Sequence, residues 1–363
     1  MTLSRPLPVA PASAAGASAR VMVCDDSLVI RGAISRMLQA DPNIQVLARV
    51  TNGRQALEEM RRQKFDVIIL DIEMPEMDGM TALPLLLRSD PTVRVIMAST
   101  LTTRGAEIAM RALRLGAADY VPKPSVEAIA DDSFRRELVA KVLGLARLRQ
   151  ASGRVARAAP AIGLRGASPL PAKLLAIGSS TGGPQALFTL IRALGRDVRV
   201  PVILTQHMPA TFTPLLAEHI HKLGMMSCAE AKDGEALRPG HIHLAPGDRH
   251  LLIRSGPAGM VVKITTDPPE NFCRPAVDPM LRSAAAACDG RVLVAMLTGM
   301  GQDGLLGTRA VIDAGGTAIA QDEASSVVWG MPGAVAQAGL CHAVLPLPDM
   351  APKLINMLRG RSA

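Results

Sequence analysis

Ser180, His207 and Asp303 are the residues of this chain whose types and settings could do chemistry together. Ser180 is the centre of Gly178-Ser179-Ser180-Thr181-Gly182, between an apolar run ending at Ile177 and a helix-like segment from Gln185 to Leu194. A serine on a glycine-flanked turn between strand and helix exposes its hydroxyl at a sheet edge, and the helix N-terminus offers free N–H groups to an oxyanion. His207, in Gln206-His207-Met208-Pro209, follows the apolar run Val200–Thr205, and Asp303 follows Val292–Leu297. All three lie just past strand C-termini, so one sheet edge could gather them. Ser180 would attack an acyl carbon, His207 would shuttle the proton, and Asp303 would fix the imidazole tautomer. The chain order Ser, His, Asp is not that of α/β-hydrolases, so the G-x-S-x-G match does not imply that fold.

A rival reading uses Gly299-Met300-Gly301-Gln302-Asp303-Gly304, a formal G-x-G-x-x-G after a strand, with Asp322 18 residues beyond Gly304. That pattern fits an NAD(P)-dependent oxidoreductase. Against it, the motif comes late in its domain, Asp303 would repel a pyrophosphate, and the serine loop would have no role. A phosphate cradle at 178–183 fails because Pro184 stands where a P-loop needs lysine. On pattern alone the hydrolase, the dinucleotide binder and a non-enzymatic phospho-switched scaffold all stay open.

A second constellation lies earlier. Asp25 and Asp26 end a first strand, Asp71 a third, Ser99 a fourth and Lys123 a fifth. Strand C-termini converge in an open parallel sheet, and ligands bind there. Carboxylates crowded in one crevice call for a hard divalent cation, Mg²⁺ by preference, and one of them can be a nucleophile toward phosphorus.

The elements that must position these residues read as two α/β units. Strands at Arg20–Cys24, Gln45–Val50, Phe65–Leu70, Val93–Ala98 and Ala118–Val121 alternate with helices at Val29–Gln39, Arg54–Gln63, Met80–Arg88, Arg104–Leu115 and Phe134–Arg149. This predicts a five-stranded parallel, flavodoxin-like domain with helices on both faces. Pro84 is expected near its helix's first turn, where it is tolerated. The second unit is doubly wound, with strands at Lys173–Ile177, Val200–Thr205, Val292–Leu297, Thr317–Ala320 and Ala343–Leu345. Its middle, His241–Leu244, His250–Ile253 and Met260–Thr265, reads as a small antiparallel insertion. The expected boundaries are a disordered tail at 1–18, a first domain at 19–146, a basic Ala/Pro/Gly linker at 147–171 and a second domain at 172–360.

The net charge of the 363 residues is +8, but residues 1–20 carry +2 and residues 144–173 carry +6, so the remainder is formally neutral. With aromatics at only 2%, this argues against nucleic-acid binding. No apolar run is long enough to span a membrane and no secretory h-region is present, so a cytoplasmic protein without membrane insertion is expected. The five cysteines form no C-x-x-C pair, which points to buried free thiols. His241, His243 and His250 lack a fourth ligand at suitable spacing and read as ordinary surface or loop histidines rather than a zinc site.

Residues 20–145 resemble a response-regulator receiver domain, through Asp71-Ile72-Glu73-Met74-Pro75-Glu76-Met77-Asp78-Gly79 and the strand-end residues above. The resemblance implies Asp71 as phosphoacceptor. It implies Mg²⁺ held by Asp25, Asp26, Asp71 and the Glu73 carbonyl, and Ser99, Tyr120 and Lys123 as switch residues. Residues 172–350 are similar to the catalytic domain of chemotaxis protein-glutamate methylesterases, through Ile177–Gly183, Gln206–Pro209 with Phe212-Thr213, Ala245–Gly247, Arg274–Asp278 and Leu297–Gly304. That likeness implies a phosphorylation-activated esterase that removes methyl groups from receptor glutamates and deamidates receptor glutamines. Ser180 would be the nucleophile, His207 the base and acid, Asp303 the orienter, with Thr181 and Met300 as active-site neighbours. Implied partners are methyl-accepting receptors and a sensor histidine kinase, acting on a monomer whose ester chemistry needs no cofactor. Ser179 departs from the family, which usually has alanine there.

Overall fold

The computed structural model describes residues 18–100, 102–123, 132–151, 163–256 and 259–360. The expected disordered tail lies outside them except for its last residue, as does linker segment 152–162.

The first unit runs β1 (Ala19–Cys24), α1 (Leu28–Gln39), β2 (Ile44–Val50), α2 (Gly53–Arg62), β3 (Val67–Asp71), α3 (Gly79–Ser89), β4 (Arg94–Ser99), α4 (Thr103–Arg114), β5 (Asp119–Pro122) and α5 (Asp132–Ala151). Its strands form one parallel sheet in the order β2-β1-β3-β4-β5. The central strand, Val-Ile-Ile-Leu-Asp, is buried along its length, whereas edge strand β2 alternates buried and exposed residues. That is how a strand covered on both faces differs from one covered on a single face. Side chains of Ser27, Asn52, Asp78 and Thr102 cap α1 to α4 by accepting a backbone N–H, each worth about 1 kcal/mol. Pro84 lies in the interior of α3, beyond the first turn where it was expected, so α3 forgoes one backbone hydrogen bond there.

The second unit carries β6 (Leu174–Ser179), α6 (Gly183–Leu194), β7 (Val202–Gln206), α7 (Thr213–His221), β8 (Ser227–Glu230), β9 (His241–Leu244), β10 (His250–Gly256) and β11 (Gly259–Thr265). It continues with α8 (Val277–Ala287), β12 (Val292–Met296), α9 (Leu305–Asp313), β13 (Thr317–Gln321), α10 (Met331–Gln337), β14 (Ala343–Leu345) and α11 (Leu347–Leu358). Seven strands pair in parallel in the order β14-β13-β12-β6-β7-β9-β8, and β10 and β11 form a separate antiparallel pair.

The small antiparallel element is therefore narrower than the sequence suggested. β9 joins the main sheet in parallel, buried on both faces between β7 and β8. His241 and His243 are buried, not surface residues: His241 meets Ser227 and Arg238, and His243 meets Glu235 and the Arg238 N–H. Helix α5 extends to Ala151, two residues past the expected Arg149, and its Arg147 and Arg149 are ion-paired. No helix among the described residues is long and apolar enough to cross a membrane.

The two units pack against each other. One buried apolar cluster continues from Met110, Ala117 and Tyr120 of the first into Leu187 and Phe212 of the second. Tyr120 stacks on Phe212 with ring centroids 4.5 Å apart. Gln185 of α6 donates to the carbonyls of Leu113 and Ala117, at 2.6 Å each, and Arg147 reaches Glu323 and the Ser326 carbonyl.

Candidate active site and phosphorylation site

In the second unit the strand order reverses at the β12/β6 boundary, where open α/β sheets bind their ligands. Three adjacent strands deliver the three candidates: Ser180 follows β6, His207 follows β7 and Asp303 lies in the loop after β12. Ser179 pairs with Gln206 across β6 and β7, which sets Ser180 and His207 side by side one residue further on. The His207 N–H donates to the Ser179 carbonyl at 3.1 Å, and the Ser180 N–H to the Thr298 carbonyl at 3.0 Å. Gly299 lets the third loop in: a Cβ there would stand 2.9 Å from the Ser180 Cβ. The turn closes through Gly182, at φ 75°, which begins α6.

His207 Nε2 lies 2.7 Å from Asp303 Oδ2. The Asp303 carboxylate also accepts from the backbone N–H groups of Val277, Asp278 and Gly304 and from Asn271 Nδ2. Burial opposes its charge, yet these bonds hold its pKa below the usual carboxylate range. A carboxylate so held fixes the Nε2–H tautomer and leaves Nδ1 as the basic nitrogen. Nδ1 lies 3.4 Å from Cys273 Sγ. Although burial pulls the imidazole down, Asp303 and Cys273 outweigh it and raise its pKa well above the ordinary value.

The two serines are distinct. Ser179 is fully buried, and its hydroxyl donates to Gln206 Oε1 at 2.7 Å. Ser180 is partly exposed, and its hydroxyl makes no hydrogen bond among the described residues. Thr181 is buried beside it, and its carbonyl accepts from the Thr298 hydroxyl. The backbone N–H groups of Thr181 and Met300 have no acceptor among the described residues, and Met300 is 37% exposed. Gly299–Gly304 thus packs against the serine loop and presents Asp303 to His207. Asp322 holds a local turn through Ser325.

Sequence reasoning missed Asn271 and Cys273. Both lie on a short loop closed by a Glu270–Cys273 bridge, with Asn271 and Phe272 at positive φ. A polar residue and a thiol outside any strand-end pattern carry no periodic signal.

The first unit gathers its own residues at the end of β1, β3 and β5. Carboxylate oxygens of Asp25, Asp26 and Asp71 lie within 4.8 Å of one another. Lys123 Nζ is 2.6 Å from Asp71 and 3.5 Å from Asp25. Burial pushes Asp71 up to about 6, with Lys123 opposing and Asp25 adding. Asp25 Oδ2 is buried without a hydrogen-bond partner, as a carboxylate arranged for a cation would be. Glu73 follows two residues after Asp71 with an exposed side chain. Ser99 is buried at the end of β4, and the Lys123 N–H donates to its carbonyl. Tyr120 is 8% exposed, turned onto the other domain.

The comparisons with known proteins follow the same division. A family model described as CheB methylesterase matches residues 175–354, and one described as response regulator receiver domain matches residues 21–132. The chain is 53% identical to a protein-glutamate methylesterase/protein-glutamine glutaminase of Azospirillum brasilense, over 99% of this chain and 98% of that protein. It is 51% identical to one from Paramagnetospirillum magneticum, over 95% and 97%. The solved catalytic domain of the CheB methylesterase of Thermotoga maritima is similar with a TM-score of 0.50 and 38% identity, covering 52% of this chain and 100% of that one.

Proposed function

The chain belongs to the CheB methylesterase family and carries a response-regulator receiver domain, and from that premise we propose that Ser180, His207 and Asp303 are its catalytic triad. It is a phosphorylation-activated protein-glutamate methylesterase and protein-glutamine glutaminase, acting on chemoreceptors in sensory adaptation. The 2.7 Å His207–Asp303 bond, on the loops beside the partly exposed Ser180, carries the assignment.

In the forward reaction Ser180 Oγ attacks the ester carbonyl carbon of a receptor glutamate while His207 Nδ1 takes its proton. The oxyanion forms against the unpaired N–H groups of Thr181 and Met300. His207 returns the proton to the departing methoxy oxygen, releasing methanol. Water, deprotonated by the same nitrogen, then cleaves the acyl-enzyme to the free carboxylate. With glutamine as substrate, ammonia leaves in place of methanol. The test is methanol release from methylated receptor, with and without a phosphoryl donor; absence of release in both would reject the reading.

Only neutral imidazole can take the serine proton. The raised folded pKa favours the charged imidazole, so kcat/KM should climb as pH rises through that folded pKa. Cys273→Ser weakens one of the contacts raising it, and the ascending limb should move to lower pH. A pH–rate profile of both proteins checks this, and an unshifted limb counts against the Cys273 contact.

In the receiver, Asp71 is the proposed phosphoacceptor. Asp25, Asp26, Asp71 and the Glu73 carbonyl would hold Mg²⁺, which supplies positive charge against the phosphoryl oxygens. Lys123 and Ser99 would bind those oxygens, and a histidine kinase would supply the group. The unphosphorylated receiver is proposed to restrain the esterase. Asp119 Oδ2 accepts the Gly182 N–H at 3.1 Å, inside the serine loop, while Tyr120 stacks on Phe212 beyond the His207 loop. Gln185→Ala removes two bonds between the domains without touching the triad. Unphosphorylated activity should rise about tenfold, given roughly 0.5–1.5 kcal/mol per hydrogen bond, and phosphorylated activity should stay constant. Equal basal rates in the two proteins would argue against restraint.

A further inference from the structure

A cavity of about 250 Å³ lies where the two domains meet. Arg94, at the start of β4, and Leu145 of α5 line the receiver side; Gly182, Thr298, Gln321 and Val327 line the catalytic side. Arg94 is half-buried, and its Nε is buried without a hydrogen-bond partner. Among the described residues its guanidinium forms no ion pair.

The nearby acids are already taken. Asp66 pairs with Arg20 and Arg149, and Asp90 pairs with Arg149 and Lys64. Burial, with Arg149 adding repulsion, pulls the Arg94 pKa down. None of those pairs includes Arg94, and among the described residues no acid compensates its charge. A buried donor left without a partner carries a desolvation cost that an incoming acceptor relieves. The planar guanidinium fork matches the oxygens of a carboxylate or phosphoryl group. The lining is partly apolar, through Leu145 on the receiver side and Val327 on the catalytic side. The volume corresponds to about eight waters at ~30 Å³ each, enough for a small ring or short chain.

We propose that this interdomain cavity is a binding site for a small organic anion, a carboxylate or phosphoryl group held by Arg94 with its apolar part against Leu145 and Val327. The ligand touches both domains, so it binds their packed arrangement and favours it by linkage. The Thr298 carbonyl accepts the Ser180 N–H, so the occupied wall lies directly behind the nucleophile loop. The site would add a metabolite input to the receiver's phosphorylation input. Its existence does not depend on the esterase assignment, because binding itself is the readout.

Phenylphosphonate is a suitable probe, since its carbon–phosphorus bond cannot phosphorylate Asp71. Titrated calorimetrically into the full-length unphosphorylated protein, it should bind saturably at one site and raise Tm with concentration. Arg94→Gln should weaken binding at least tenfold, and Arg94→Lys should retain part of it. Asp71→Asn should bind as the parent does. Leu145→Trp, which fills the apolar wall and keeps Arg94, should also lose binding, and decides the matter should Arg94→Gln not fold. Absent or unsaturable binding, parent-like affinity in a folded Arg94→Gln or in Leu145→Trp, or loss of binding in Asp71→Asn would each overturn the site.

Discussion

Ser180→Ala should reduce methanol release by about 10⁴- to 10⁶-fold, the scale on which removal of a triad nucleophile acts. The neighbouring hydroxyl cannot take over. Ser179 is fully buried, and its hydroxyl is spent on Gln206 Oε1, whose amide in turn holds the Ser180 and His207 carbonyls. Ser179→Ala should therefore keep most activity and lower stability by about 1 kcal/mol, the usual worth of one such bond. A third variant guards against a different nucleophile. Cys273 Sγ lies 3.4 Å from His207 Nδ1, within reach of the base, so a thiol could in principle replace the hydroxyl. Cys273→Ser should retain turnover with a shifted pH profile. Survival of Ser180→Ala together with loss of activity in Cys273→Ser would transfer the role to the thiol. A serine-directed acylating probe gives the same answer by the residue it labels.

The second large effect is expected at Asp303. Asp303→Asn should lower kcat by about 10⁴-fold, because an amide facing Nε2 no longer enforces the tautomer that leaves Nδ1 basic. Five donors converge on this carboxylate, so the amide also sets an N–H against one of them. Thermal unfolding should accompany the kinetics to separate a misfolded protein from a misoriented base. Asn271→Ala supplies the comparison: it removes one donor and leaves the imidazole contact intact, and roughly a tenfold loss is expected. Equal losses in both variants would mean that Asp303 acts by organising the loop rather than through His207.

Much of the candidate site was legible because its residues occupy strand ends. Apolar runs such as Val200–Thr205 and Val292–Leu297 announce buried parallel strands, and the polar residue after each is delivered to the sheet edge by the strand itself. The same logic placed Asp25, Asp71, Ser99 and Lys123. It failed where the chain leaves that alternation. His241–Leu244 reads like its antiparallel neighbours, since a four-residue apolar segment has no local mark of direction. Pairing with β7 and β8 makes it parallel and buries its histidines.

By itself the sequence determined the number and order of the α/β units, the two glycine turns, and which reactive side chains follow which strands. Those properties are local: they depend on hydrophobic period, glycine positions and strand ends. Only the tertiary structure decided that β12, β6 and β7 are neighbours, which turns three separate loops into one site. Only it brought Asn271 to Asp303 and Cys273 to His207, from a loop with no pattern of its own. It also set Asp119 against Gly182 and left Arg94, among the described residues, without an ion pair at the domain boundary. Such contacts join residues dozens to more than a hundred positions apart. They are fixed by which faces bury which, and no local periodicity encodes them.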